Sequence, residues 1–408
     1  MCMNRQFYKS FSLALFVLLT AAASAQVNKI SGTITDADSG EPIPFANVFF
    51  ASTSIGISSD MEGKFVLQNF PNGKYDFTVA YVGYEPFQQA FEFNGSEYRL
   101  TIKLKTEEVK LQEVVIKADT TGWAQNFAIF KRSFLGETQN AAKCTILNPR
   151  DIHLYFDRQA RVLVAHANKP IVVENKALGY TIQWYLQQFE LNYAEGRLAI
   201  FGFPSFQLLT PKGNAEAKRW MRERERAYYG SVTHFIRSLG KESLTEEKFR
   251  VRKFYQVPNR KRPSDEFLNQ KISYFRNRAM SGEKIIIGKT DSLRYYMELR
   301  NEPKLADSVA SADLRLKEIM TNASEVNYTG MLKVDFLGER EEVNYAKSQG
   351  RTAIKHQTSV MHFLVPGLKI YENGYYQNAY DVFFEWYWAW SEKISDMLPY
   401  DYSPPTKK

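Results

Sequence analysis

The chain has 408 residues and a formal charge of +8, from 53 Lys and Arg against 45 Asp and Glu. That excess is modest and opposite charges are interspersed, so it leaves no basic footprint for nucleic acid. Only two cysteines are present, which excludes a disulfide-stapled fold, and the length allows two or three domains with sizeable cores.

Taken in chain order, the first element is a leader. Arg5 and Lys9 precede an apolar run, Phe11 to Leu19, and small residues stand at Ala23 and Ala25. This pattern predicts a secretory signal over 1–25 with cleavage before Gln26. The run is shorter than the roughly 20 residues a bilayer span needs. Cys2 leaves with the leader, so Cys144 is the single thiol of the mature chain, and the charge falls to +6. No later run is long and apolar enough to predict a membrane-crossing helix.

Residues 26–117 read as short strands between turns. In "KISGTITDADSG", Asp36 and Asp38 suit an Asx-type turn and Gly40 tolerates positive φ. "PIPFANVFF" follows, with Pro42 and Pro44 fitting strand entry. Asp60 to Gly63 predicts a hairpin, with Phe65 and Leu67 on one face. In "PNGKYDFTVAYVGYEPF", Tyr75, Phe77, Val79 and Tyr81 alternate with polar or small residues, and Leu100, Ile102 and Leu104 alternate again. Period-two patterning over about seven short strands, with no room for crossover helices, predicts a two-layer β-sandwich.

"GTITDADSGEPIPFANV", "DMEGKFVL" and "GKYDFTVAYVGYEP" together resemble the carboxypeptidase-like regulatory domain common in envelope proteins of Bacteroidota. The resemblance implies a transthyretin-like sandwich placed before a larger outer-membrane or exported domain. It implies no peptidase activity. "VKLQEVVIKA" is similar to the join between this module and the plug of TonB-dependent receptors. The rest of the chain is too short for their barrel and is interrupted by helical and charged segments, so transport and TonB contact are not carried over.

Residues 118–135 are expected to be a connection, and 136–408 a larger α+β region with a mixed or antiparallel sheet. "DIHLYFD", "ARVLVAHA", "KPIVVENKALGYTIQWYLQQFEL" and "GRLAIFGFPSFQLL" predict strands. "NAEAKRWMRERERAYYGSVTHFIRSLG" predicts a helix bent at Gly230, with Ala217, Trp220, Met221, Arg224, Ala227 and Tyr228 at helical spacing and Val232, Phe235, Ile236 and Leu239 continuing the apolar stripe. "LADSVASADLRLKEIMTN" is a smaller helical candidate. Strands return in "SEVNYTGMLKVDFLG", "TAIKHQTSVMHFLVPG" and "KIYENGYYQNAYDVFFEWYWAW". "CTILNPRDIHLYF", "ERERAYYGSVTHFIRSL" and "GYYQNAYDVFFEWYWAWSEKISDMLPYDY" resemble the long partner region of proteins from the same group. No established reaction travels with these motifs.

The chemistry offered by single residues is sparse. The histidines are His153, His166, His234, His356 and His362, and none begins HxxE or HExxH, as a zinc peptidase would favour. His356 and His362 could share a strand face, with Asp157 or Glu385 as remote partners, but the simpler reading is two non-ligating strand residues. Asp36, Asp38 and Glu41 lack an EF-hand continuation, since Asn47 stands where its final Glu would be. Cys144 has no local base and reads as a buried thiol. "GFPSF" is not a nucleophile elbow, so Ser205 receives no role.

Arg250, Arg252, Lys253, Arg260, Lys261 and Arg262 form a basic stretch, read as solvated loop charge before any phosphate, acidic-glycan or membrane contact. In the terminal aromatic run, Phe384, Trp386, Trp388 and Trp390 fit a core or domain seam, with a strand through about Trp388 and a short helix after it.

No catalytic, cofactor-binding or metal residue is therefore assigned, and no cofactor. The sequence is read as an exported, non-enzymatic envelope structural or protein-interaction protein of the periplasm or the periplasmic face of the outer membrane. Its expected partner is an envelope protein or surface component. An aromatic-groove glycan or peptide binder, and a zinc peptidase or other hydrolase assembled from distant residues, are the alternatives.

Overall fold

The computed structural model describes residues 27–107, 122–282, 286–287 and 290–405. The expected leader and the "VKLQEVVIKA" join lie outside the described residues. The N-terminal unit is all-β, from β1 (Lys29–Asp36), β2 (Asn47–Phe50), β3 (Gly56–Ser58), β4 (Lys64–Gln68), β5 (Gly73–Ala80), β6 (Phe87–Phe93) and β7 (Glu97–Leu104). They form two sheets, ordered β4-β1-β7 and β3-β2-β5-β6. Pairing is antiparallel except that β7 lies parallel to β1.

The inward residues of both sheets, among them Ile34, Phe50, Phe65, Tyr75, Phe77 and Phe93, make one core. Asp60–Gly63 forms the expected turn, but β3 and β4 belong to different sheets, so it is an arch over the sandwich and not a hairpin. Phe65 and Leu67 must face the β2 and β5 side chains across the core, which requires the chain to change layer there.

The stretch expected to connect the regions contains a helix, α1 (Trp123–Leu135). Trp123, Phe127, Phe130 and Phe134 recur at i, i+4, i+7 and i+11 and form a stacked aromatic ridge. The ridge meets Phe189 and Trp184 of the following sheet. Burial of that stripe, and not a linker, organises the segment.

The sheet beneath α1 contains β8 (Cys144–Ile146), β9 (Ile152–Asp157), β10 (Val162–Ala167), β11 (Ile171–Asn175), β12 (Tyr180–Asn192) and β13 (Arg197–Leu208), ordered β8-β11-β12-β10-β9 with β13 on the other edge of β12. β10 and β11 lie end to end along β12 with a one-residue change of register between them. β12 and β13 shift between Leu186 and Gln188. Such irregularities bend strands, and Gly202 belongs to the bend: a Cβ there would stand 2.4 Å from the Trp184 indole nitrogen.

α2 (Asn214–Tyr228) and α3 (Val232–Gly240) follow as expected, separated at Gly230 with φ +85°. A side chain at Gly230 would meet Gln357 at 2.1 Å, and its carbonyl accepts the Trp388 indole N–H at 2.7 Å. Next come β14 (Phe249–Pro258), α4 (Asp265–Met280), the pair β15 (Ile286–Ile287) and β16 (Thr290–Asp291), and α5 (Ser292–Asn301). Neither helix is among the elements expected above, although Ser264 and Asp291 cap them through side-chain oxygens.

The helical candidate from Leu305 is instead β17 (Leu305–Val309), a 3-10 turn and β18 (Met320–Asn322). β17 pairs along the edge of β14, where ladder bonds outweigh weak helix propensity. β19 (Glu325–Val326), β20 (Gly330–Arg340), α6 (Val343–Ser348), β21 (His356–Phe363), β22 (Leu368–Lys369), β23 (Val382–Trp386) and α7 (Tyr387–Ser391) complete the chain. An antiparallel sheet runs β17-β14-β20-β21-β23, and α3 packs on it through Phe235, Ile236 and Leu239. The larger region is α+β with mostly antiparallel sheets and two cores, one under α1 and one under α3.

Candidate functional site

The N-terminal unit is joined to the larger region along β2 and the turn after it. Ser52 adopts φ +59°, which turns its peptide groups outward from the sandwich. Its N–H donates to the Pro204 carbonyl at 2.7 Å, and its own carbonyl accepts the Tyr400 N–H at 2.7 Å. Buried Thr53 bridges Ser205, and its carbonyl accepts the Phe206 N–H at 3.0 Å. Phe49 stacks on Tyr185 with centroids 5.3 Å apart, and Asn47 donates to Gln183 and to the Tyr185 hydroxyl. On the next strand, Asp76 accepts the Tyr375 hydroxyl at 3.0 Å. Burial pushes the Asp76 carboxyl above its ordinary range, and Tyr375 partly offsets this.

Beside this seam opens a groove of about 330 Å³ between the two regions. Its apolar lining includes Phe45, Tyr81, Val82 and Leu186, and its polar lining includes Asn168, Gln183 and Gln187. Lys169 and Glu107 place one charge of each sign at it. Phe45 is 63% exposed and sits at φ +58°, a combination that costs free energy for an aromatic residue. Buried Ser59 holds that backbone, accepting the Ala46 N–H and donating to the Ile43 carbonyl. The groove is chemically equipped to hold a neutral ligand by stacking and amide hydrogen bonds.

The C-terminal segment locks both regions. Arg237 on α3 is buried and donates to the carbonyls of Asn373, Tyr400 and Tyr402 at 2.8 to 3.2 Å. Asp401 accepts the Ser54 N–H and hydroxyl from the N-terminal unit. Ile394 and Ser395 donate to the last carbonyls of α1.

A second, smaller cavity lies between α2, the loop around Thr138 and the segment after α7, with Glu392, Asp396, Glu342 and Arg226 in its wall. Its carboxylates are engaged. Asp396 accepts from Thr138, Asn140 and Ser395, Glu342 pairs with Arg226 at 2.9 Å, and Glu392 accepts the Val232 N–H at the start of α3.

Burial raises Glu392 from 4.5 to about 7, against the Val232 hydrogen bond. A raised folded-state pKa contributes stability that is complete below the unfolded value and lost as pH rises through the folded one. Glu392→Gln keeps the acceptor oxygen but cannot ionise. Chemical denaturation should therefore show wild type losing about 3 kcal/mol relative to the variant between pH 4.5 and 7.

The residues weighed in the sequence are dispersed. His234 is buried between the Gly230 N–H and Glu247, with its pKa lowered by burial against the Glu247 contact. His356 and His362 share a strand face; His356 is exposed near Glu339, and His362 stacks on Phe383 at 3.8 Å and lies beside Glu385. His153 and His166, distant in sequence, are direct cross-strand neighbours, which only the β9–β10 register reveals. Among the described residues, no three of His, Cys, Asp and Glu gather as a metal site requires. Cys144 is buried, and burial pushes its thiol up to about 12. Asp36 forms the expected Asx turn through the Asp38 and Ser39 N–H groups. Tyr387 and Trp388 are buried, and Phe384, Trp386 and Trp390 are partly buried. These aromatics thus pack within the larger region, Trp388 and Phe384 in the core under α3, with Phe383 43% exposed. The strand ends two residues earlier than expected because Trp386 takes φ +63°.

Part of the basic stretch is structural. Arg250, Arg252 and Lys333 converge on buried Asp335, which also accepts from Thr358. Burial opposes the Asp335 charge, yet Lys333, Thr358 and Arg252 outweigh it and hold the carboxyl at about 2. Its contribution is present above pH 3.8 and lost as pH falls through 2. Asp335→Asn should cost about 3 kcal/mol at neutral pH in urea unfolding, since three cations lose their counter-charge.

Residues 30–116 match the CarboxypepD_reg-like domain. The match falls on the N-terminal β unit described above. Over 126 residues the chain is 25% identical to TonB-dependent receptor P3 of Formosa agariphila, a match that takes in 29% of this chain and 12% of the receptor. The chain therefore spans only a small part of that relative's length. Solved structures with local likeness include catechol 1,2-dioxygenase of Acinetobacter radioresistens, at 16% identity, 20% of this chain, 53% of that chain and TM-score 0.15. A protein of unknown function from Bacteroides fragilis aligns over 85% of this chain and 92% of its own, at 10% identity and TM-score 0.17. Likenesses at these scores carry no functional argument.

Proposed function

We propose that this is an exported, non-enzymatic envelope protein in which the CarboxypepD_reg-like domain is fixed to a larger α+β body and the seam groove recognises an envelope partner. The observation that supports this most directly is the seam itself. Backbone bonds through Ser52 and Thr53, the Phe49–Tyr185 stack and the Asp401 clamp hold the two regions in one orientation. A groove built by both regions then keeps its shape, which is what recognition without bond chemistry needs. The matched domain and the distant receptor relative support an envelope setting. Among the described residues no helix is long and apolar enough to cross a membrane.

The test is photo-crosslinking from a benzophenone amino acid at Phe45 in the native envelope. A discrete protein adduct, absent when the probe stands at a distant exposed site such as Lys218, supports the reading. Labelling no stronger at the groove than at Lys218 contradicts it. The mixed aromatic and amide lining favours one second reading, a neutral glycan or extended peptide as the groove's occupant; a small-molecule adduct at Phe45 in place of a protein would select it.

A further inference from the structure

We propose that the exposed face of α4 docks the protein peripherally on an anionic lipid surface. α4 and α5 pack on each other as a helical hairpin, with Leu268 and Ile272 buried and Phe275 stacked on Tyr296 at 5.5 Å. The adjoining face of α4 carries Phe267, Lys271, Tyr274 and Arg278 at i, i+4, i+7 and i+11, a single stripe on a helix whose first ring also meets Tyr296 of α5 edge-on at 6.2 Å. The rings are 40% and 48% exposed. Each cation sits over the ring one turn before it, Lys271 at 5.5 Å from Phe267 and Arg278 at 5.5 Å from Tyr274. Met280 closes the helix at 83% exposure.

The sequence around α4 is also basic. Residues 260–304 hold eleven Lys and Arg against six Asp and Glu, so this one segment accounts for most of the positive excess of the whole chain. Aromatic side chains favour the headgroup level of a bilayer, and Lys and Arg are attracted to an anionic surface. A stripe alternating the two at one level matches that layered environment. The face is a convex helix surface, which suits a bilayer, since a bilayer demands no complementary shape.

Flotation of the full chain with phosphatidylcholine vesicles containing about one-third phosphatidylglycerol tests this directly. Binding should be strong at low salt, weak at high salt, and absent with phosphatidylcholine alone. Lys271→Glu/Arg278→Glu should weaken it at least tenfold, and Tyr274→Ala severalfold. Lys218→Glu/Arg222→Glu makes the same charge change on exposed positions of α2 and should leave binding within about twofold. Equal losses in the two double variants would overturn the proposal, because net charge alone would then explain binding. So would failure of the wild type to float at low salt, or capture by α4 of an acidic protein with no affinity for vesicles.

Discussion

Replacing Arg237 with alanine should destabilise the fold by about 4 kcal/mol and release its C-terminal segment. The guanidinium serves three carbonyls on two chain segments. Hydrogen bonds from charged donors contribute about 1.5–3 kcal/mol each, and a buried acceptor left unpaired adds its desolvation cost. Some of this is recovered as the cavity admits water. Urea unfolding gives the magnitude, and carboxypeptidase trimming reports the segment, with residues after Pro399 becoming accessible in the native state. Arg237→Lys should recover less than half of the loss, because one ammonium cannot span the planar fork that reaches Asn373, Tyr400 and Tyr402. A loss below about 1 kcal/mol would mean that the segment is held by its other contacts.

Phe49→Ala should cost about 3–5 kcal/mol and loosen the seam. Phe49 is 1% exposed, yet it lies on the outer side of the sandwich, grouped with Ala51 and Ala80 against Tyr185 and Phe203. Its burial therefore depends on the two regions staying together, and large-to-small changes at such sites carry both transfer and cavity costs. In a double-mutant cycle with Tyr185→Ala, the coupling should be about 0.5–1.5 kcal/mol. Zero coupling, with each variant losing only its own burial, would separate the ring stack from the joining of the regions.

The parts of the structure written in local patterns were legible. Tyr75, Phe77 and Val79 alternate in sequence and point inward from β5, and Gly230 separates α2 from α3 within one continuous apolar stripe. The aromatic period of α1 was equally present in the sequence, but its position after a domain-sized β unit favoured a linker reading. β17 went the other way, because an edge strand draws its order from β14 and not from its own residues. The seam left no local trace. Ser52, Thr53 and Tyr400 contribute backbone groups, whose partners depend on tertiary placement and not on side-chain identity. Phe45 likewise looked ordinary until its backbone angle and exposure were known. The same holds for Arg237, whose three acceptors lie 136 to 165 residues away.

Hydrogen exchange of individual amides in the native full chain bears most directly on the fixed union of the two regions. The Ser52, Phe206 and Tyr400 amides should exchange about as slowly as those in the centres of β5 and β12, because opening the seam then requires global unfolding. Rapid exchange at those three positions, with β5 and β12 still protected, would show two bodies that move independently and would contradict the account.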